Sequence, residues 1–174
     1  MNQRGARLLE PPHEKCPLKI YIETTIPSFY FETRRNVECV SRRNWTRRWW
    51  DDHRHEHELA TSLVVRDELS DPKYPEAKRR NALALLDELP VLDLNPRIDE
   101  IVQTYVENLL MPHQPIADAV HLALASYHGC DVLLTWNCVH LANPNKFRHI
   151  ASINKRLKLG VPAVITPLAL LGET

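Results

Sequence analysis

The chain has 174 residues, a length that suits one domain with one sizeable core. Hydrophobic residues make up 44% and charged residues 25%, which excludes wholesale disorder. Lysine plus arginine equals aspartate plus glutamate, 22 each, so net charge argues neither for nor against a nucleic-acid partner and only its distribution can.

Residues 1–17 read as a flexible leader, polar, with Pro11 and Pro12 and no periodicity; residues 18–174 read as a single domain. Arg4, Arg7, Glu10 and Glu14 leave no apolar run for a signal peptide. The cysteines, Cys16, Cys39, Cys130 and Cys138, form no close CxxC pair, which disfavours a zinc knuckle and fits a reduced, cytoplasmic protein with free thiols. No apolar stretch is long enough to span a bilayer, so no membrane association is expected.

The first element is a short apolar run, Leu18 to Ile22, read as a buried strand ending in Glu23-Thr24-Thr25. Pro27 permits a helix start. Residues 38–58 read as a very polar helix with Trp45 and Trp49 on one face. Leu59 to Val65 reads as a second strand, and Arg66 to Leu69 turns off it into a short helix whose first turn holds Glu68. Pro75 to Leu89 is a helix with Ala82, Leu86 and Leu89 on one side, and Val91 to Leu94 a short strand.

Asn95 caps and Pro96 opens the next helix, in which Ile98, Ile101, Val102, Tyr105, Val106 and Leu109 recur at helical spacing. Met111 to Gln114 is a linker. Pro115 opens another helix, through Ala117, Val120, Leu124 and Tyr127, which Gly129 ends. Asp131 to Thr135 is a strand, residues 145–159 an amphipathic helix with Phe147, Ile150 and Leu157 inward, and Pro162 to Thr166 a last strand. Strands alternating with helices imply βαβ units. The expected fold class is α/β, a three-layer α/β/α sandwich around a central parallel sheet of about five strands.

In such sheets sites form outside the carboxyl ends of the strands. Glu23 follows the first strand, Glu68 lies just past the second, and Asn137 lies two residues beyond Thr135. Asp118 falls in the first turn of its helix, at the positive end of the helix dipole. Carboxylates gathered at one locus repel unless a cation lies between them or one is protonated. Hard oxygen ligands favour Mg²⁺ or Mn²⁺, and such an ion can activate water for phosphodiester hydrolysis. Taken singly, each acid reads first as a helix cap or a solvated charge; Glu23, directly after an apolar strand, fits that reading least, because strand ends in the middle of a sheet are partly buried.

Four segments in order resemble the PIN domain, and specifically the VapC-like toxin ribonucleases of type II toxin–antitoxin systems. Ile20 to Thr25 is similar to that family's first strand and acidic residue. Ser62 to Leu69 resembles its second acidic motif and places Glu68, rather than Asp67, in the site. Ala117 to Ala125 resembles the third motif, and Leu133 to Asn137 the fourth. The resemblance spans residues 18–171. It implies Glu23, Glu68 and Asp118 as ligands of Mg²⁺ or Mn²⁺, Asn137 in the fourth catalytic position, and Thr135 in support. It further implies endonucleolytic cleavage of RNA, with a cognate antitoxin and a second copy of the chain as partners. Two positions depart from the family pattern: Glu23 stands where Asp is usual, and Asn137 stands in place of an acid, which weakens a second metal position. A catalytically inactive PIN-like module that only binds RNA or a protein is the alternative. A metal-dependent phosphatase would need an aspartate where Glu23 stands.

From Val132 to Gly172 there is no acidic residue, while Lys146, Arg148, Lys155, Arg156 and Lys158 lie in that span. This is either a surface for an RNA backbone or an ordinary solvated helix face. Thr24, Thr135, His140, Asn143, Lys146 and Arg148 are the candidate substrate contacts, although the default reading of Asn143 or Asn145 is a helix cap. Arginines 34, 35, 42, 43, 47 and 48, interleaved with Trp45, Trp49 and Trp50, suit RNA stacking, helix packing or an antitoxin groove. His53 and His57 share a helix face, but a solvated charged face explains them better than zinc. His121, on the same side of its helix as Asp118, reads as a satisfied core histidine in preference to a partner of a site carboxylate.

Overall fold

Strand β1 (Lys19–Ile22) buries Ile20, Tyr21 and Ile22 completely. Successive strand side chains point to opposite faces, so both faces of the sheet are covered where β1 runs. The computed structural model describes residues 16–111 and 116–172. Nearly all of the leader, and Pro112, Gln114 and Pro115 of the linker and helix start, lie outside the described residues.

Four further strands follow: β2 (Glu58–Ser62), β3 (Val91–Leu92), β4 (Val132–Leu134) and β5 (Ala163–Ile165). All pair in parallel, in the spatial order β3-β2-β1-β4-β5. The chain thus builds outward from β1 on one side and then returns to build on the other. The crevice at the carboxyl ends of β1 and β4 is the switch point where open parallel sheets place their sites.

The helices are α1 (Thr25–Tyr30), α2 (Val37–His53), α3 (Leu63–Leu69), α4 (Glu76–Leu85), α5 (Pro96–Glu107), α6 (Ala117–Tyr127), α7 (Phe147–Leu157) and α8 (Pro167–Leu170). Helix α5 packs on α6, and α2 packs on both α1 and α8. The arrangement is the expected α/β sandwich. No helix among the described residues is long and apolar enough to cross a membrane.

Several expected boundaries shift for local reasons. The second strand stops at Ser62, three residues early, because the Ser62 hydroxyl accepts the Val65 N–H and caps α3. Leu63, Val64 and Val65 are therefore helical, and Glu68 sits in the second turn of α3, not the first. Helix α2 ends at His53; a 3₁₀ turn over Arg54–Glu56 leads straight into β2 at Glu58. Phe147 is 39% exposed, not inward, whereas Ile150 and Ile153 are buried. Asn95 caps α5 as expected, accepting from Arg97 N. Gly129, at φ +63°, ends α6 in the left-handed conformation that favours glycine.

Candidate metal centre

Glu23 is the first residue past β1, and its N–H still donates to Leu134 O of β4 at 3.3 Å. The side chain is therefore held between the two central strands, 4% exposed. Three donors converge on Oε2: Thr25 N at 3.0 Å, Thr25 Oγ1 at 2.5 Å and Thr135 Oγ1 at 2.8 Å. Burial pushes the Glu23 carboxyl above its ordinary value, against the pull of His121 and of these donors.

Glu68 reaches the same crevice from α3. Its Oε2 accepts from Thr24 Oγ1 and, at 3.1 Å, from His121 Nε2. Burial acts to raise Glu68, but the bonds and charge supplied by His121, together with Thr24, hold it below the usual range. Glu23, Glu68 and His121 each offer a ligand atom within 4.8 Å of the others.

Asp118 occupies the first turn of α6 and is 6% exposed. Its Oδ1 accepts from Asn137 Nδ2 at 2.9 Å, while its Oδ2 is buried with no hydrogen-bond partner. Burial raises this carboxyl and the charge of Glu68 raises it further; His121, His140 and Asn137 oppose them. Asp118 is not one of the three residues with mutually close ligand atoms, but it is within electrostatic reach of Glu68 and His121.

This donor set suits a hard divalent cation. It is made of carboxylate oxygens, two of its carboxyls are driven upward by burial, and one buried oxygen has no donor. Buried polar atoms are rarely left so in native proteins, and an ion is one of the usual reasons.

Asn137 leaves β4 through its own backbone, which donates to Thr135 Oγ1 at 2.9 Å. Its Oδ1 accepts from His140 N at 3.1 Å, which fixes the amide orientation and turns Nδ2 toward Asp118. Both ends of the Asn137 amide are thus engaged. His140 also faces Asp118 electrostatically, as does the partly buried Lys146, whose Nζ lies 3.9 Å from Met111 Sδ.

The other candidate contacts divide. Thr24 and Thr135 bond site carboxylates. Asn143 caps the 3₁₀ turn before α7, accepting from Asn145 N at 3.0 Å. Arg148 is exposed. Three arginines of α2 lie against neighbouring groups: Arg42 over Phe29 and Trp136, Arg47 over Tyr30, and Arg43 donating to Glu32 O. His53 pairs with Glu56 at 2.9 Å, and His57 accepts from Leu18 N.

His121 corrects its preferred reading. It is a satisfied core residue, 1% exposed, yet one of its two partners is the site carboxylate Glu68. Thr25, Tyr21 and Ser62 were not singled out as site residues. Only Thr25, adjacent to Thr24 at the strand end, carried a local signal.

Comparison with known proteins agrees with this fold. A family model for the PIN domain matches residues 20–137. The fold is similar to VapBC2 from Rickettsia felis, whose crystal structure is bound to a DNA fragment from their promoter. The TM-score is 0.50 at 12% sequence identity, covering 86% of this chain and 98% of that one. No curated protein matches the chain.

Proposed function

Because the chain belongs to the PIN domain family, we propose that it is a metal-dependent endoribonuclease that hydrolyses RNA phosphodiester bonds as the toxin of a toxin–antitoxin pair. The observation that carries the reading is Asp118 Oδ2, a buried carboxylate oxygen without a donor, close in charge to Glu68. Glu23, Glu68 and Asp118 are the residues that would hold Mg²⁺ or Mn²⁺. Such an ion supplies a water of lowered pKa and a positive charge for the phosphoryl oxygen.

The protein's own groups do the positioning. Thr25 and Thr135 fix the Glu23 carboxylate, Thr24 steadies Glu68, and Asn137 orients Asp118. Lys146, beside Asp118, is placed to meet a phosphate at the crevice. Arg148, Lys155 and Arg156, all exposed on α7, extend that positive surface along an RNA backbone. Residues 18–174 act as one domain in the cytoplasm, with an antitoxin and a second copy of the chain as partners. Similarity in fold to VapBC2 supports the antitoxin assignment.

The test is cleavage of single-stranded and structured RNA with Mn²⁺, Mg²⁺ or EDTA, beside Asp118→Asn and Glu23→Gln. Metal-dependent cutting that both variants lose is expected. RNA binding without cutting under any metal would instead favour the inactive module, a reading to which the fully engaged Asn137 amide lends support.

A further inference from the structure

His121 sits in the interior of α6 with both ring nitrogens engaged. Nε2 meets Glu68 Oε2 at 3.1 Å and Nδ1 meets the Tyr21 hydroxyl at 2.9 Å. The Tyr21 hydroxyl in turn lies 2.8 Å from Ser62 Oγ, which accepts the Val65 N–H. Tyr21 is on the central strand and is completely buried, as is Ser62. One continuous chain of hydrogen bonds therefore runs from the start of α3, through β1 and α6, back to Glu68 near the end of α3.

An ionised carboxylate only accepts, so Nε2 must carry the hydrogen in its bond to Glu68. A histidine that ligates a metal presents a bare nitrogen instead. Nδ1 cannot take that part without giving up Tyr21, in a region closed to water. The closeness of His121 to Glu68 is this bond, and Glu23 shares the crevice with both. In many metal sites a histidine ligates and a carboxylate orients it; this arrangement is the reverse.

Resting on the metal-dependent reading above, we propose that His121 is a positioning residue: its Nε2–H, held in place by Tyr21 and Ser62, orients the Glu68 carboxylate for the metal, and His121 is not itself a ligand. The Tyr21–Ser62 link makes that orientation depend on the cap of α3, so the pose of Glu68 is set from both ends of its helix.

The test compares Mn²⁺ affinity, by calorimetry, in the wild type, His121→Gln and His121→Leu, each checked for folding by circular dichroism. The glutamine amide can place an N–H where Nε2 stands. His121→Gln is expected to bind within about threefold of wild type, and His121→Leu about 10–100-fold more weakly, the usual loss on removing an orienting partner. Pulsed EPR of the Mn²⁺-loaded wild type is expected to show no directly bonded imidazole nitrogen, and ¹⁵N NMR of the metal-free protein to show Nε2 protonated. A bonded nitrogen, a bare Nε2, or a folded His121→Gln as weak as His121→Leu would each overturn the proposal. Absence of Mn²⁺ binding by the wild type would sink the metal reading and this inference together. Mn²⁺ binding by the wild type that Asp118→Asn abolishes, together with a folded His121→Gln as weak as His121→Leu, would sink this inference alone.

Discussion

Asp118→Asn is expected to stabilise the metal-free protein while it removes metal binding. In EDTA the wild type buries a carboxylate oxygen with no donor, beside the charge of Glu68. An unsatisfied buried acceptor costs about 1–3 kcal/mol, and asparagine does not recover that cost, because it puts an NH₂ without an acceptor where Oδ2 stood. Asparagine keeps an oxygen for Asn137 Nδ2 and removes the charge, and burying an amide costs far less than burying a carboxylate, so the gain comes from the charge alone. At roughly 2–4 °C per kcal/mol for a chain of this size, each kcal/mol so gained should raise the melting temperature of the variant by about that much in EDTA. The order reverses with metal: at a hundredfold excess over Kd, Mn²⁺ stabilises the wild type by about 2.7 kcal/mol. The variant should gain little. Both quantities come from thermal melts with EDTA or Mn²⁺. The pH dependence adds a check. Glu23 and Asp118 are both raised in the folded state, so the stability they contribute is complete below the usual carboxylate pKa of ~4. It is lost as pH rises through their folded values, so the advantage of the variant in EDTA should shrink toward acid pH. A variant that melts at or below wild type in EDTA, or gains as much from Mn²⁺, would refute the reasoning.

Glu32 is the opposite case. It is buried, accepts from the amides of Thr33 and Arg34, and pairs with Arg34 at 2.8 Å and Lys78 at 3.3 Å, which holds it down at about 2. Glu32→Gln should cost about 1.5–3 kcal/mol at neutral pH in urea unfolding. That difference is present above the ordinary glutamate pKa of ~4.3 and should fade as pH falls toward about 2; a gap unchanged at pH 3 would contradict it. Thr46→Val strands the indole N–H of Trp136, which donates to Thr46 Oγ1 at 2.8 Å, and should cost about 1–3 kcal/mol in the same assay. For the RNA surface, Lys146→Gln with Arg148→Gln should flatten the salt dependence of single-strand binding in EDTA by about 0.7 per lost phosphate contact. An unaltered slope would remove α7 from the binding surface.

Much of the fold was legible because the apolar runs are short and their punctuation is strong. Asn95-Pro96 and Gly129 marked helix ends by chemistry that does not depend on tertiary context. The error at β2 arose where two local rules compete. Leu63, Val64 and Val65 have strand-like side chains, yet Ser62 offers a cap; the cap prevails, and the helix begun there buries Val65 and Leu69. The acids were legible by strand order and by resemblance, since both depend on position along the chain. The Tyr21–His121–Glu68 chain was not, because Tyr21 and His121 are 100 residues apart and nothing near either one announces the other. The exposure of Phe147 escaped periodicity for a different reason: it stands at the first position of α7, whose buried residues begin at Ile150.

The strand order has a consequence for when the protein becomes competent. Glu23 takes its bond from Thr135 across 112 positions, and β4 reaches the sheet only after the chain has laid down β1, β2 and β3. A chain made only as far as Asp118 therefore carries every acidic residue of the centre but lacks Thr135 and β4, which hold Glu23. Products that stop short of β4 lack the strand and the Thr135 hydroxyl that hold Glu23 in the crevice, so the centre cannot assemble until that part of the chain has been made.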